Sequence, residues 1–226
     1  MIYNNIHTGT FISRPNRFIA EVELDGKIEI AHVKNTGRCK ELLVLGAEVY
    51  LQKAENPNRS TKYDLIAVMK GKRLINMDSQ APNKVFLEYL QRGLYIKNIT
   101  LIKPEAKYGS SRFDFYVEAG ECKIFIEVKG VTLEENGVVL FPDAPTLRGV
   151  KHLNELAQCI GEGYEAHAVF VIQMNGVLYF TPNNKTHPEF GAALATAQEA
   201  GVKLAALDCA VSPNSLIIGR SVPIRL

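Results

Sequence analysis

Two alternating runs joined by a four-residue turn constrain this chain more than any other feature. Arg112-Phe113-Asp114-Phe115-Tyr116-Val117-Glu118 and Lys123-Ile124-Phe125-Ile126-Glu127-Val128-Lys129 each repeat with period two, the pattern of a β-strand. Phe113, Phe115 and Val117 fall on one face of the first strand, and Ile124, Ile126 and Val128 on one face of the second. The turn lies within Ala119-Gly120-Glu121-Cys122. A two-residue and a four-residue loop give the same register there, with Asp114 opposite Glu127 and Arg112 opposite Lys129.

Cross-strand partners share a face, with Cβ atoms about 4.5–5.5 Å apart. Two carboxylates so placed repel each other, and a divalent cation is the simplest remedy. Mg²⁺ or Mn²⁺ takes a small number of carboxylates and leaves its other positions to water or phosphate oxygens. Lys129, two residues beyond Glu127, shares its face and can orient a water or meet developing negative charge. An ordinary solvated hairpin face has a similar pattern. The surrounding Phe113, Phe115, Ile124, Phe125 and Ile126 argue instead for a central hairpin, where unpaired acids are costly.

The rest of the chain supplies the setting. With 226 residues, 46% of them hydrophobic, it can bury a core, and its longest apolar run, near Ala168 to Met174, is too short to cross a bilayer. The opening Met1-Ile2-Tyr3-Asn4-Asn5 has neither region of a signal peptide. The cysteines at 39, 122, 159 and 209 form no CxxC pair, so a reducing cytoplasm is expected. The net charge of +2 excludes nothing, although residues 1–80 carry 12 Lys/Arg against 9 Asp/Glu, a mildly basic half.

Residues 1–80 read as short strands: 10–13, 17–24, 27–33, 48–53, 64–69 and 73–77. Asp25-Gly26 forms a tight turn with both residues at positive φ. Phe18, Ala20, Val22 and Leu24 alternate with Glu21 and Glu23 and are expected inside. Such a run predicts a small OB-type barrel. A linker at 79–83 leads to a helix capped by Asn83 and ended by Gly93, then the hairpin. A helix over about 144–160 capped by Asp143, strands at 166–172 and 177–181, a helix over 188–200 and strands at 202–207, 216–218 and 222–226 follow. The fold class expected is α/β: an OB-type barrel over 1–80 and a mixed-sheet domain over 81–226.

In the 144–160 helix, Leu147, Val150, Leu153, Leu156, Ala157 and Ile160 form the predicted buried stripe. Arg148, Lys151, His152 and Glu155 share the opposite side, where they either hold phosphates or form a solvated face. In the barrel, Arg14, Arg17, Lys34, Arg38 and Lys40 surround the Asn35-Thr36-Gly37 turn, a candidate phosphate contact, and Arg112 adds a further cation. Few aromatics lie nearby, so backbone recognition is favoured over base stacking.

The runs Ser111-Arg112-Phe113-Asp114-Phe115, Ile126-Glu127-Val128-Lys129-Gly130 and Phe141-Pro142-Asp143-Ala144-Pro145-Thr146-Leu147-Arg148-Gly149-Val150-Lys151-His152-Leu153 resemble the SfsA, or sugar fermentation stimulation, family, as do Arg17-Phe18 and Asn35-Thr36-Gly37. The resemblance implies a barrel followed by a domain like the PD-(D/E)XK nucleases, DNA binding, and a link to regulation of sugar metabolism genes. It makes Asp114, Glu127 and Lys129 the nuclease motif, with the Val128 carbonyl as a further Mg²⁺ or Mn²⁺ ligand. It also makes Glu88, on the preceding helix, a further acidic candidate. The chain departs from the family at His187, where an Asp is usual. The function expected is a metal-dependent DNA nuclease, with RNA as an alternative substrate, no membrane partner, and a homodimer compatible with the reading. The alternative is a non-catalytic DNA-binding regulator of sugar fermentation genes; a sugar- or protein-binding barrel module ranks third.

Overall fold

The computed structural model describes residues 1–35, 37–56 and 58–226. Its first strands are β1 (Ile6–Asn16), β2 (Ile19–Leu24), β3 (Lys27–Val33), β4 (Glu48–Lys53), β5 (Tyr63–Lys70) and β6 (Arg73–Asn76). They lie in the order β3-β2-β1-β4-β5-β6, and parallel pairing of β3 with β5 closes the OB-type barrel. Asp25 and Gly26, at φ 53° and 74°, turn β2 into β3 as their positive-φ tolerance predicts. Alternation along β2 buries Ala20, Val22 and Leu24. Phe18 departs from that pattern and is 49% exposed. It precedes the strand, in a turn where its N–H donates to Asn16 Oδ1 at 2.9 Å.

The second half is built from α1 (Ala81–Gln91), β7 (Ile99–Tyr108), β8 (Ser111–Ala119), β9 (Cys122–Val131), β10 (Leu133–Glu135), β11 (Val138–Phe141), α2 (Leu147–Gly161), β12 (Glu165–Ile172), β13 (Tyr179–Pro182), α3 (Pro188–Glu199), β14 (Lys203–Ser212) and β15 (Ser215–Ser221). The main sheet has the order β15-β14-β12-β9-β8-β7, with β9 and β14 parallel to β12 and the other pairings antiparallel. The hairpin therefore supplies an interior strand, β9, covered on both faces. Phe86 and Leu90 of α1 pack with Phe115, Ile124, Ile126 and Val128. Leu153 and Leu156 of α2 belong with Phe113, Phe125 and Phe170 to the other cluster.

Several boundaries differ from expectation. Helix α1 starts before Asn83, with Gln80 at its N-cap and a proline in the first turn, where a missing N–H costs nothing. Helix α2 begins only at Leu147; its cap is Thr146, whose side chain accepts from Gly149 N at 3.0 Å. Pro145 disfavours helical backbone at Ala144, so Asp143 cannot be the cap. It lies instead against the barrel, where a Cβ on Gly37 would collide with its carboxylate. Strand β7 and the β10–β11 hairpin were not expected, and the 222–226 segment forms only an isolated bridge, Ile224 with Phe180.

A buried ion pair joins the two halves. Glu134, 5% exposed, meets Lys70 Nζ at 2.9 Å and Arg73 Nη1 at 2.6 Å and accepts from Gly137 N at 2.5 Å. Burial opposes ionisation of this carboxyl, but the Lys70, Gly137 and Arg73 contacts outweigh it and bring its pKa down to about 2. A folded-state value below the unfolded one stabilises the protein above the unfolded pKa, and the gain is lost as pH falls through the folded one. Glu134→Gln is expected to lower stability at pH 7 by about 2 kcal/mol. The deficit relative to wild type should narrow from about pH 4.5 towards pH 2, as read by urea unfolding at a series of pH values.

Candidate metal centre and nucleic-acid interface

The hairpin keeps its expected register from Ala119↔Cys122 to Phe115↔Ile126, and there the ladder stops. Beyond it the Asp114 carboxylate substitutes for a main-chain partner. Its Oδ2 accepts from Val128 N at 2.7 Å and its Oδ1 from Asn83 Nδ2 at 2.7 Å. On the other side, the β7–β8 ladder skips Glu105 opposite Asp114, and Glu105 has φ 51°. This irregularity explains a departure from the simple alternation. Phe113 belongs to the α2 side, 5.4 Å from the Phe125 ring and 5.9 Å from His152, while Phe115 and Val117 stay on the α1 side.

Glu127 is 4% exposed on the interior strand. Its Oε1 accepts from Lys129 Nζ and meets His152 Nδ1 at 2.5 Å. Arg148 Nε approaches His152 Nε2 at 3.4 Å. That approach assigns the ring proton to Nδ1, so His152 donates to Glu127. The other oxygen, Glu127 Oε2, is buried with no hydrogen-bond partner among the described residues.

The two acids behave differently. Burial, then the negative charge of Glu127, pushes the Asp114 carboxyl up to about 6 against the bonds from Val128 and Asn83. Burial acts in the same direction on Glu127, but the His152 hydrogen bond and the Lys129 ammonium prevail and hold it below its ordinary value. A buried oxygen lacking a partner, close to a carboxyl that resists ionisation, is a site that a divalent cation relieves. Two carboxylates fit a hard oxygen-seeking ion. The Val128 carbonyl projects towards the same neighbouring strand as its N–H, the side of Asp114. Among the described residues no group of three or more His, Cys, Asp or Glu is placed to hold a metal ion by itself. The remaining positions fall to water or ligand oxygens, as Mg²⁺ tolerates.

The Asp114 shift has a sign that can be checked without metal. Its folded-state value of about 6 exceeds the ordinary 3.8, so ionisation destabilises the fold as pH rises from about 4 to about 6. In EDTA at pH 7.5, Asp114→Asn is expected to be about 2 kcal/mol more stable than wild type. The new amide oxygen can accept from Val128 while the Asn83 amide turns its own oxygen to the new NH₂. At pH 4 the gain should vanish in urea titrations.

The other predicted residues divide. Glu88 lies outside the site: its carboxylate binds the Met1 amino group at 2.7 Å, on the side of α1 that meets β15. His152 is 3% exposed and meets Glu127, so the outward place expected for it, holding phosphate or solvated, is corrected, as is the burial of Leu147, which is 81% exposed. The reason is helical phase, since Gly149, His152, Leu156 and Cys159 share the inward stripe. Arg14 does not offer its guanidinium outwards; it donates to the carbonyls of Gly37, Arg38, Arg17 and Asn35 at 2.6–2.9 Å and so shapes the turn. Lys34 is engaged by Asp78 at 2.9 Å. Thr36 lies outside the described residues, and Asn35 Oδ1 accepts from Gly37 N.

Arg17 and Arg38, with Lys40, remain exposed along a groove beside Ala144. Arg112, Arg148 and Lys151 line a cleft of about 770 Å³ with Lys107, Ser110 and His152. Within it Lys151 donates to Ser110 Oγ at 3.1 Å and lies 3.7 Å from Glu155, the helical pair expected from their spacing. Arg112 pairs with Glu105 at 3.1 Å on the exposed edge and does not face Lys129. Sequence reasoning missed Asn83 as an Asp114 partner. Its signal was a polar residue in phase with Phe86 and Leu90 on the apolar stripe of α1. At His187, where the resemblance implied an Asp, the side chain is buried and meets Thr146 N at 3.4 Å. Among the described residues no helix is long and apolar enough to cross a membrane.

Known proteins agree with this architecture. Residues 12–77 match the SfsA N-terminal OB domain, and residues 80–215 match the sugar fermentation stimulation protein RE domain. A sugar fermentation stimulation protein homolog of Desulfitobacterium hafniense (strain Y51) is 62% identical over 226 residues, covering 100% of this chain and 99% of the relative. One from Clostridium beijerinckii is 62% identical over 218 residues, 96% of each chain. The solved structure of Pyrococcus furiosus SfsA in complex with Ca²⁺ superposes with a TM-score of 0.90 at 28% identity, covering 100% of this chain and 98% of that one. Matched along nearly its whole length in sequence and in fold, the chain belongs to the SfsA, or sugar fermentation stimulation protein, family.

Proposed function

We propose that this protein binds DNA and hydrolyses its phosphodiester backbone at a divalent cation held by Asp114, Glu127 and the Val128 carbonyl. The observation that carries the reading is the buried, partnerless Glu127 Oε2 beside a carboxyl pushed up to about 6. The Ca²⁺ in the Pyrococcus furiosus relative supports it, since that ion takes the same class of oxygen ligand. When bound, Mg²⁺ or Mn²⁺ supplies Lewis-acid stabilisation of charge on the phosphate.

The chain's own residues do the rest. His152 fixes the Glu127 carboxylate, and Asn83 and Val128 N–H fix that of Asp114. Lys129 Nζ, anchored on Glu127 Oε1, can hold a water by its oxygen and meet charge developing on the phosphate. Arg112, Arg148 and Lys151 in the adjoining cleft, with Arg17 and Arg38 on the barrel, offer cations to flanking phosphates.

The test is incubation of the wild-type chain with single- and double-stranded DNA and with RNA in Mg²⁺ or Mn²⁺, against EDTA controls. Metal-dependent cleavage is expected. Salt-sensitive binding with no cleavage of any substrate would leave a DNA-binding regulator, and absence of both would end the nucleic-acid reading. Replacing Arg148 and Lys151 together by Ala should weaken DNA binding and make the slope of log K against log salt about two charges shallower.

A further inference from the structure

The cleft of about 770 Å³ beside the metal ligands opens between the turn that joins β7 to β8 and the first turns of α2. Lys107 and Arg112 flank that turn, and Arg148 and Lys151 line the cleft from the helix. Among the described residues two of these four cations meet an acid: Arg112 lies 3.1 Å from Glu105, and Lys151 lies 3.7 Å from Glu155. Lys107 and Arg148 add two positive charges without such a partner. The two walls are tied together. Lys151 Nζ donates to Ser110 Oγ in the β7–β8 turn at 3.1 Å, a bond between residues that both line the cleft. A strand running straight through would have to break that bond, whereas a strand that ends inside would not. The cleft also adjoins the metal ligands, since His152 lines it and meets Glu127 through Nδ1, and Arg112 precedes Asp114 by two residues on β8. Leu147, the exposed first residue of α2, completes the lining.

We infer that this cleft seats the phosphate monoester at the end of a nucleic-acid strand, so that strands with a phosphorylated terminus are preferred at the Asp114–Glu127 centre. The inference rests on the nucleic-acid reading above and adds a substrate class to it. Charge is the first argument. An internal phosphodiester carries one negative charge, whereas a monoester carries about 1.5–2 at pH 7 and offers three acceptor oxygens. The two cations without an acid match the monoester. Arg148 turns its Nε to His152, which leaves its two Nη groups for a pair of phosphate oxygens, and Lys107 can meet the third as a point charge. The hydroxyls of Ser110 and Ser111 add neutral donors. Shape is the second argument. The Lys151–Ser110 bond bars passage of a continuous chain, and the space suffices for a phosphate with its sugar. Leu147 offers that sugar an apolar contact, a use for a large apolar side chain otherwise left in solvent.

The test uses the full chain in Ca²⁺ in place of Mg²⁺. It measures affinity for one labelled oligodeoxynucleotide, single-stranded and annealed, carrying a phosphate at its 5′ end, at its 3′ end, or at neither. A phosphate at one terminus is expected to tighten binding about tenfold, and the terminus that responds identifies the end that enters the cleft. Lys107→Ala, at an exposed position of an edge strand, should cut that gain to about threefold, measured against the hydroxyl-ended strand on the same variant. An undiminished gain in that variant overturns the assignment to this cleft. Inorganic phosphate separates the sources. It should remove the gain only in large excess; tight binding of phosphate itself, with no gain from a phosphorylated terminus, would make the cleft a site for the free ion and overturn the inference. Equal gains at both termini would mark a mere added charge and also overturn it. Equal affinity for all the strands overturns the end site and spares the nuclease reading. Absence of binding to every strand overturns both.

Discussion

Replacing Lys129 by Ala is expected to lower metal-dependent cleavage about 10³-fold, roughly 4 kcal/mol of transition-state stabilisation. The ammonium sits on Glu127 Oε1 with its side chain 18% exposed, close enough to solvent to reach substrate and buried enough for its charge to act strongly. The loss should fall on kcat with little change in KM, because the flanking cations bind the strand independently. Lys129→Arg should recover only part of it, since a planar fork cannot occupy the space of a compact ammonium. Cleavage kinetics of the two variants, with unfolding curves showing both folded, provide the check. A Lys129→Ala protein with wild-type kcat would remove Lys129 from the chemistry.

The second large effect concerns His152. With both Phe113 and Glu127 as neighbours, its ring is enclosed, and its Nδ1–H is one of two donors to Glu127 Oε1. His152→Ala removes that donor and opens a cavity beside an ionised buried carboxylate. The expected cost is about 3–4 kcal/mol of stability in the metal-free protein. Residues that orient metal ligands typically affect metal affinity by about 10–100-fold, and the same loss is expected here. His152→Gln, which can keep a donor near Glu127, should recover part of both. A solvated His152 gripping phosphate would instead change salt-dependent binding and leave stability untouched, so urea unfolding separates the roles.

The contrast between these two residues reflects what an amino-acid pattern carries. Lys129 shares the face of Glu127, as strand alternation predicts, because alternation fixes faces over short distances and β9 is regular. The register from Ala119↔Cys122 to Phe115↔Ile126 followed from the turn. The simple alternation did not extend to Asp114. There the ladder ends and the side chain takes a main-chain N–H, an irregularity accompanied by Glu105 on an unrecognised neighbouring strand and by Asn83 of α1, 31 residues away in sequence. Strand β7 was itself invisible, because it is an edge strand, largely exposed, with Pro104 inside it and no alternation to detect. The side of His152 is misread from sequence because the stripe expected from Leu147 and Val150 shares Leu153 and Leu156 with the observed one, which runs instead through Gly149, His152 and Cys159. Arg14 and Lys34 read as free cations because carbonyl and carboxylate partners brought in by folding cannot be seen in a linear string. Most of the barrel was legible, since its short alternating strands and the Asp25-Gly26 turn are locally coded, but Phe18 and the full length of β1 were not.

Thermal unfolding of wild type, Asp114→Asn and Glu127→Gln, in EDTA and then in increasing Ca²⁺, tests most directly whether the two acids share an ion. Wild type is expected to gain stability with Ca²⁺, by about 2.7 kcal/mol at a hundredfold excess over Kd. Asp114→Asn should start more stable in EDTA and gain nothing from Ca²⁺, and Glu127→Gln should likewise fail to respond. A wild-type midpoint indifferent to Ca²⁺, or equal gains in all three proteins, would contradict the shared-ion account.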